Sequence, residues 1–231
     1  MKPIAIIPAR GGSQRILRKN IKPLAGKPVI GYAIEGALNS GIFDRVIVTT
    51  DDLEIAEVSR QFGAEVPFLR SASLSDNFTN TIEVIADCVE RLESLGEVAD
   101  LVCCIYPVTP LLKFHRIEQG IELLQEENLD YVFSAIEFSS PIQRAFTRNN
   151  EGRVEFLFPE HQFARSQDLQ KTYHDAGQFY CGLKNAWSTR KPILAGNSSF
   201  IELDKYETLD VDDIKDWEFV SSIMKLRDKS D

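Results

Sequence analysis

Apolar residues follow two alternating periods along most of the chain. Pro3 to Ile7 is a short Ile-rich run that ends on Pro8 and predicts a buried strand. Val29 to Leu38 has helical spacing, with Gly41 just past its end as a stop. Arg45 to Thr50, RVIVTT, predicts a second strand. Asp52 then caps a helix over Leu53 to Phe62, whose apolar face is Leu53, Ile55, Ala56, Val58 and Phe62, with Gly63 closing it. A short strand is expected over Glu65 to Leu69 and a polar loop over Arg70 to Asn80. Thr81 to Leu95 is amphipathic, with Ile82, Ile85, Val89 and Leu92 on one face. Asp100 to Tyr106, DLVCCIY, is nearly continuous in apolar character, which predicts a strand buried on both faces of a parallel sheet. Lys113 to Glu127 reads as helix and Tyr131 to Ile136 as strand.

The pattern changes after that point. Glu137 to Leu183 shows no long helical period, carries Pro141 and Pro159, and contains two expected strands, Val154 to Phe158 and Gln178 to Leu183. It reads as a β-rich excursion, at about 137–183, from a single domain that spans 1–231. Ser199 to Leu203 is the last expected strand, and Ile214 to Leu226 a helix introduced by Asp212 and Asp213. Alternating strands and helices predict an α/β fold with a Rossmann-like, doubly wound, mostly parallel sheet. Ligands of such sheets sit beyond the carboxyl ends of the strands. Four stretches fall at those ends: the loop around Arg10, TTDD at 49–52, YPVTP at 106–110 and LDVDD at 209–213.

Composition narrows the function. With 231 residues, 43% hydrophobic and 26% charged, the chain can bury a sizeable core. Its net charge of −9 argues against nucleic acid as a partner. The charge is uneven: Lys2, Arg10, Arg15, Arg18, Lys19, Lys22 and Lys27 all precede the first acidic residue, Glu35. An acidic protein with one basic loop suits a small anionic ligand. Cys88, Cys103, Cys104 and Cys181 form no C-x-x-C pair, so zinc is not expected. No secretory signal or membrane span is visible, and a cytoplasmic protein without a membrane partner is the expectation.

Two motifs carry chemistry. In IPARGGSQRILRKN, Gly11 and Gly12 are followed by Ser13 and flanked by Arg10, Arg15, Arg18 and Lys19. Backbone N–H groups of such a turn, with guanidinium and ammonium groups, suit a polyphosphate. Neither Gly-Lys-Ser/Thr nor G-x-G-x-x-G is present, which excludes a P-loop and a dinucleotide fingerprint. In LDVDD, Asp210 and Asp212 are separated by one residue and share a side if the segment is extended. A carboxylate pair of this kind suits Mg²⁺. Helix capping is the competing account, and it explains Asp213 better than Asp210.

The opening loop and the carboxylate pair resemble those of the CMP-sugar synthetases, which activate acidic sugars with CTP, and the resemblance runs over almost the whole chain. It implies that Arg10, Ser13 and Lys19 contact the CTP phosphates, with Gly11, Gly12, Gln14 and Arg15 in the same loop. The chain departs from the family at Gln14, where Lys is usual, and Arg15 is the neighbouring cation. It implies Mg²⁺ on Asp210 and Asp212, which with Arg10 and Lys19 form the expected catalytic set. Asp51 matches a residue near the nucleotide, although strand-end or cap chemistry explains it equally. Arg70 matches an arginine that approaches the cytosine, with Ser71 in place of the usual Pro. Tyr106 and Leu112 depart from the acylneuraminate pattern at the sugar side of YPVTP, which also holds Thr109. The stretch from Ala164 to Tyr180 is similar to the pseudaminate branch. It supplies Arg165, His174, Asp175, Gln178 and Tyr180 as expected sugar contacts. The implied reaction joins CTP and pseudaminate with loss of pyrophosphate, and the implied assembly is a homodimer built through the excursion. Acylneuraminate, legionaminate and ketodeoxyoctonate are the alternative acceptors. A nucleotide-binding protein without turnover is the non-enzymatic alternative, and a glycosyltransferase on a similar sheet is conceivable.

Overall fold

The computed structural model describes residues 3–96, 99–209 and 211–227. Its main elements are β1 (Ile4–Pro8), β2 (Pro23–Leu24), β3 (Lys27–Pro28), α1 (Ile30–Asn39), β4 (Arg45–Thr49), α2 (Leu53–Gln61), α3 (Thr81–Ser94) and β5 (Leu101–Ile105). They continue with α4 (Phe114–Glu126), β6 (Tyr131–Glu137), β7 (Phe146–Arg148), β8 (Val154–Phe156), β9 (Tyr173–Leu183), α5 (Lys184–Ser188), β10 (Ser198–Glu202) and α6 (Ile214–Arg227). One mixed sheet runs in the order β10-β6-β9-β5-β1-β4, parallel except for β9, which is antiparallel to both neighbours.

Strand alternation divides the core into two layers. Ala5, Ile7, Val46, Val48, Cys103 and Ile105 meet Ile30, Ile34, Ile55, Ile117 and Ile121 from α1, α2 and α4. Ile4, Ile6, Ile47, Val102 and Cys104 meet Ile85, Val89 and Leu92 of α3 and Trp187 of α5 on the other face. A third cluster joins Trp217, Val220 and Met224 of α6 to Ile16, Leu24, Val29 and Val211. That cluster seats α6 against the opening loop. Asp52 caps α2 through Ile55 N–H, as expected, and Asn80 caps α3 through Glu83 N–H.

Two expectations are corrected. The strand over Glu65 to Leu69 is reduced to two bridges, Ile47 with Glu65 and Thr50 with Leu69. Pro67, which has no N–H to donate, stands between them. The sheet is mostly parallel, as expected, with β9 as its one antiparallel strand among the described residues. The excursion also ends earlier than residue 183: Gln178 to Gly182 are buried in the centre of the main sheet, as part of β9. What leaves the sheet is 138–172, with the exposed hairpin of β7 and β8. β9 fits its place closely, since a Cβ on Gly182 would stand 2.5 Å from the Tyr131 ring.

The pairing of β9 with β6 shifts register between Phe133 and Ala135. Ser134 Oγ fills the irregularity, accepting from Gln178 N–H at 3.2 Å and Phe179 N–H at 3.3 Å, and Gly177 takes φ 60°. Such a bulge re-aims side chains next to a site. Here it turns Ala176, Gly177 and Gln178 toward a cleft at the carboxyl end of the sheet.

Candidate active site

The cleft has a volume of about 330 Å³. It is lined by the loop after β1, residues between Arg70 and Thr81, the turn after β5, the β9 bulge, and Thr208, Leu209 and Val211.

Neighbouring groups hold the opening loop from several directions. Asp51 Oδ1 accepts from Gly11 N–H at 3.0 Å, and the buried Asn20 donates to the Arg10 carbonyl at 2.9 Å. Arg18, in the left-handed region at φ 54°, pairs with Asp52 and Glu54. The hydrogen bonds from Arg18 are the largest reason that the Asp52 carboxyl is held below its usual range. Gly11 is needed for room: a Cβ there would stand 2.7 Å from Asp52 Oδ2, whereas Gly12 faces open space.

This scaffold presents Arg10, Ser13, Gln14, Arg15 and Lys19 to the cleft. Arg10 donates to the Asp76 carbonyl at 2.5 Å, Lys19 donates to the Val211 carbonyl, and Arg15 pairs with Asp212 at 2.7 Å. Arg70 faces the same space from beneath. Its side chain is 3% exposed, bonded to Ser75 Oγ at 3.0 Å and 3.7 Å from Asp51. Burial lowers its pKa, the Asp51 charge opposes that, and repulsion from Arg10 adds to it. Two guanidiniums that repel each other across a cleft are relieved by an anion.

Tyr106 also lines the cleft, with its hydroxyl 2.6 Å from Thr81 Oγ1 and its ring tilted against Tyr180. Gln178 lines it too, its Nε2 donating to the Glu207 carbonyl at 2.9 Å. The other expected sugar contacts stand behind or beyond the wall. Thr109 donates to the Tyr106 carbonyl and holds the turn. Asp175 accepts from Tyr180 Oη at 2.6 Å and from Gly177 N–H at 2.8 Å, which supports the bulge from below. His174 packs on Phe138 and donates through Nδ1 to the Asp175 carbonyl. Arg165 pairs with Asp168 in the excursion, away from the cleft residues. Asp51 acts through the loop backbone and is not part of the lining.

Asp213 and Asp216 form a reciprocal cap on α6: Asp213 Oδ1 accepts from Asp216 N–H at 3.0 Å and Asp216 Oδ2 from Asp213 N–H at 2.9 Å. Asp212 is left outside that cap by its side chain, which is half exposed and points to Arg15. Its hard oxygen donors fit a divalent cation. Asp210 lies outside the described residues. Among the described residues, no three His, Cys, Asp or Glu side chains cluster as a metal site. Sequence reasoning missed Asn20, Thr81, Glu207 and Thr208. Asn20 carried a signal as the last residue of IPARGGSQRILRKN, and Glu207 and Thr208 did by adjoining LDVDD; Thr81 carried none.

A family model described as cytidylyltransferase matches residues 4–229. The chain is 44% identical to pseudaminic acid cytidylyltransferase of Campylobacter jejuni, over 100% of this chain and 99% of that one. It is 28% identical to CMP-N,N'-diacetyllegionaminic acid synthase of Legionella pneumophila, over 100% and 99% of the two chains. Among solved structures, CMP:2-keto-3-deoxy-manno-octonic acid synthetase complexed with CTP superposes with a TM-score of 0.74 at 17% identity, covering 98% of this chain and 100% of the other. That structure supports the fold alone. Among the described residues, no helix is long and apolar enough to cross a membrane. With a family model spanning nearly all of its length, the chain belongs to the cytidylyltransferase family.

Proposed function

We propose that the protein converts CTP and pseudaminic acid to CMP-pseudaminic acid and pyrophosphate. The observation that carries this reading is a cleft in which the Arg10–Lys19 loop, buried Arg70 and Gln178 converge, in a chain 44% identical throughout to a pseudaminic acid cytidylyltransferase. The anomeric hydroxyl oxygen attacks the α-phosphorus in line, the bond to the β-phosphate oxygen breaks, and pyrophosphate departs with that electron pair. The hydroxyl proton is lost to solvent or to a phosphate oxygen. Both substrates are anions, so the chain's contribution is mainly positioning and charge stabilisation.

In this reading Arg10, Ser13, Arg15 and Lys19 hold the triphosphate, and Gln14 contributes a neutral donor where the family resemblance implies Lys. Arg70 faces the base, beneath the segment that follows it. Tyr106 and Gln178 orient the sugar. Asp210 and Asp212 hold Mg²⁺, which when bound screens the phosphates and polarises the α-phosphate. Arg15 pairs with Asp212 at 2.7 Å, which ties that carboxylate to the opening loop. We place the reaction in the cytoplasm, where CTP is available. The working unit is a homodimer, supported by exposed Phe146, Val154, Leu157 and Phe163 on the excursion.

A panel of pseudaminate, legionaminate, N-acetylneuraminate and ketodeoxyoctonate, each with CTP and Mg²⁺ and followed by pyrophosphate release, tests the proposal. Pseudaminate is expected to give the highest kcat/KM. N-acetylneuraminate in first place would overturn the acceptor assignment, and no release with any of the four would overturn the reaction.

A further inference from the structure

Among the described residues, Arg70 and Glu207 are the charged residues found in the buried interior. Arg70 faces the cleft, whereas Glu207 stands behind it. The Glu207 carboxylate accepts from Lys113 Nζ at 2.8 Å, from Arg116 Nε at 3.1 Å and from Asp204 N–H at 3.3 Å. Burial pushes its carboxyl up, but these bonds outweigh burial and the net shift is downward, so it is charged at neutral pH. Both cations come from the start of α4. Glu207 therefore ties the segment after β10 to that helix, just ahead of the cleft residues Thr208, Leu209 and Val211.

The Glu207 backbone carbonyl has a second task. It accepts from Gln178 Nε2 at 2.9 Å, and this decides how the carboxamide faces, because the flipped amide would set two oxygens against each other. The amide oxygen is left buried with no protein partner. A buried acceptor in that state is stabilised when a ligand supplies a donor. Gln178 is 4% exposed and lines the cleft beside Ala176 and Gly177.

We infer that Glu207 is the positioning residue of the acceptor side of the cleft. Gripped by Lys113 and Arg116, it sets the Gln178 carboxamide so that its oxygen accepts from an N–H or O–H donor on the acidic sugar. This rests on the cytidylyltransferase reading above and names how that site recognises its acceptor. Glu207 touches no substrate and acts through Gln178. The nucleotide side, held by the opening loop and Arg70, does not depend on it.

The test is steady-state kinetics of Glu207→Gln, Gln178→Leu and the double variant, with each substrate varied in turn and thermal stability measured alongside. Each single variant is expected to raise the KM for the sugar about tenfold or more, by analogy with other unmade buried hydrogen bonds. KM for CTP stays near wild type. The double variant is expected to be no worse than Gln178→Leu alone, because both act through one contact. If Glu207→Gln does not fold, Lys113→Gln carries the test, since that side chain is 47% exposed. It should shift the sugar KM in the same direction. Loss of Gln178→Leu sensitivity with ketodeoxyoctonate, which has no amide, assigns the donor to an N–H, and undiminished sensitivity assigns it to an O–H. Parallel rises in both KM values that track thermal stability, additive effects, or an unchanged sugar KM would each overturn the inference. A wild-type protein that releases no pyrophosphate from any sugar overturns the functional reading, and this inference with it.

Discussion

At the residue scale, the two glycines of the opening loop have different duties although they are adjacent. Gly11 leaves space for Asp52, which holds Arg18 and caps α2. Gly11→Ala forces that carboxylate to move and shifts the loop that carries the cleft-lining cations. The expected result is a CTP KM raised about tenfold, as for other small misplacements of a binding group. Gly12→Ala should stay near wild type, because a Cβ there meets no atom within 4 Å. Equal losses for the two would mean that backbone freedom, and not room, is what the loop needs. The aspartates divide similarly. Asp210→Asn or Asp212→Asn is expected to abolish turnover and leave circular dichroism and melting unchanged. Either variant retaining activity within a few fold at saturating Mg²⁺ would remove the metal role. Asp213→Ala should instead cost about 1 kcal/mol of stability, as loss of a helix cap does, with kcat little changed.

Among elements, the link between the opening loop and α2 gives a dependence on pH. Asp52 accepts from Ile55 N–H at 3.0 Å as the cap of α2 and is also paired with Arg18. Asn at 52 keeps the cap and removes the charge. The folded pKa of Asp52 lies below the ordinary value of 3.8. Its stabilising contribution is therefore fully present above 3.8 and is lost as pH falls through the lower folded value. Asp52→Asn should melt below wild type at pH 7, and the gap should close as the pH drops below 3.8 toward that folded value. Melting curves from neutral pH into acid measure this directly. A gap that is constant across the range would show that the Arg18 pairing contributes nothing beyond the cap.

For the whole molecule, the excursion has no core of its own. Phe146 and Phe156 touch at 6.0 Å across the β7–β8 hairpin, yet Phe146 is 62% and Phe163 91% exposed. Apolar patches of this kind mark an interaction surface. Sedimentation is expected to return the mass of a dimer for the wild type. Phe146→Glu with Phe163→Glu should return that of a monomer, with the main sheet intact by circular dichroism. A wild-type monomer at micromolar concentration would remove the homodimer reading.

Local pattern was enough to determine several features of this protein. Strand and helix periods are set within a few residues, so β1, α1, β4, α2, α3, β5, α4 and β6 were legible in order, whereas the two-residue strands β2 and β3 were not. The cap on α2 was legible too, because Asp52 and Ile55 are three positions apart. The cationic loop and the D-x-D pair are each contiguous, so both were visible as motifs without a fold. The tertiary structure alone decided what depends on distant partners. Gln178 to Leu183 was readable as a strand, but its insertion between β5 and β6 was not, since pairing follows from which edges are free when the chain returns. The bulge opposite Ser134 belongs to that same pairing, and it brings Gln178 into the cleft. Arg70 is an ordinary loop arginine in the sequence and a buried one in the fold. Glu207 meets Lys113 from 94 positions away and Gln178 from 29, separations over which no periodicity carries information, so only packing could bring them together.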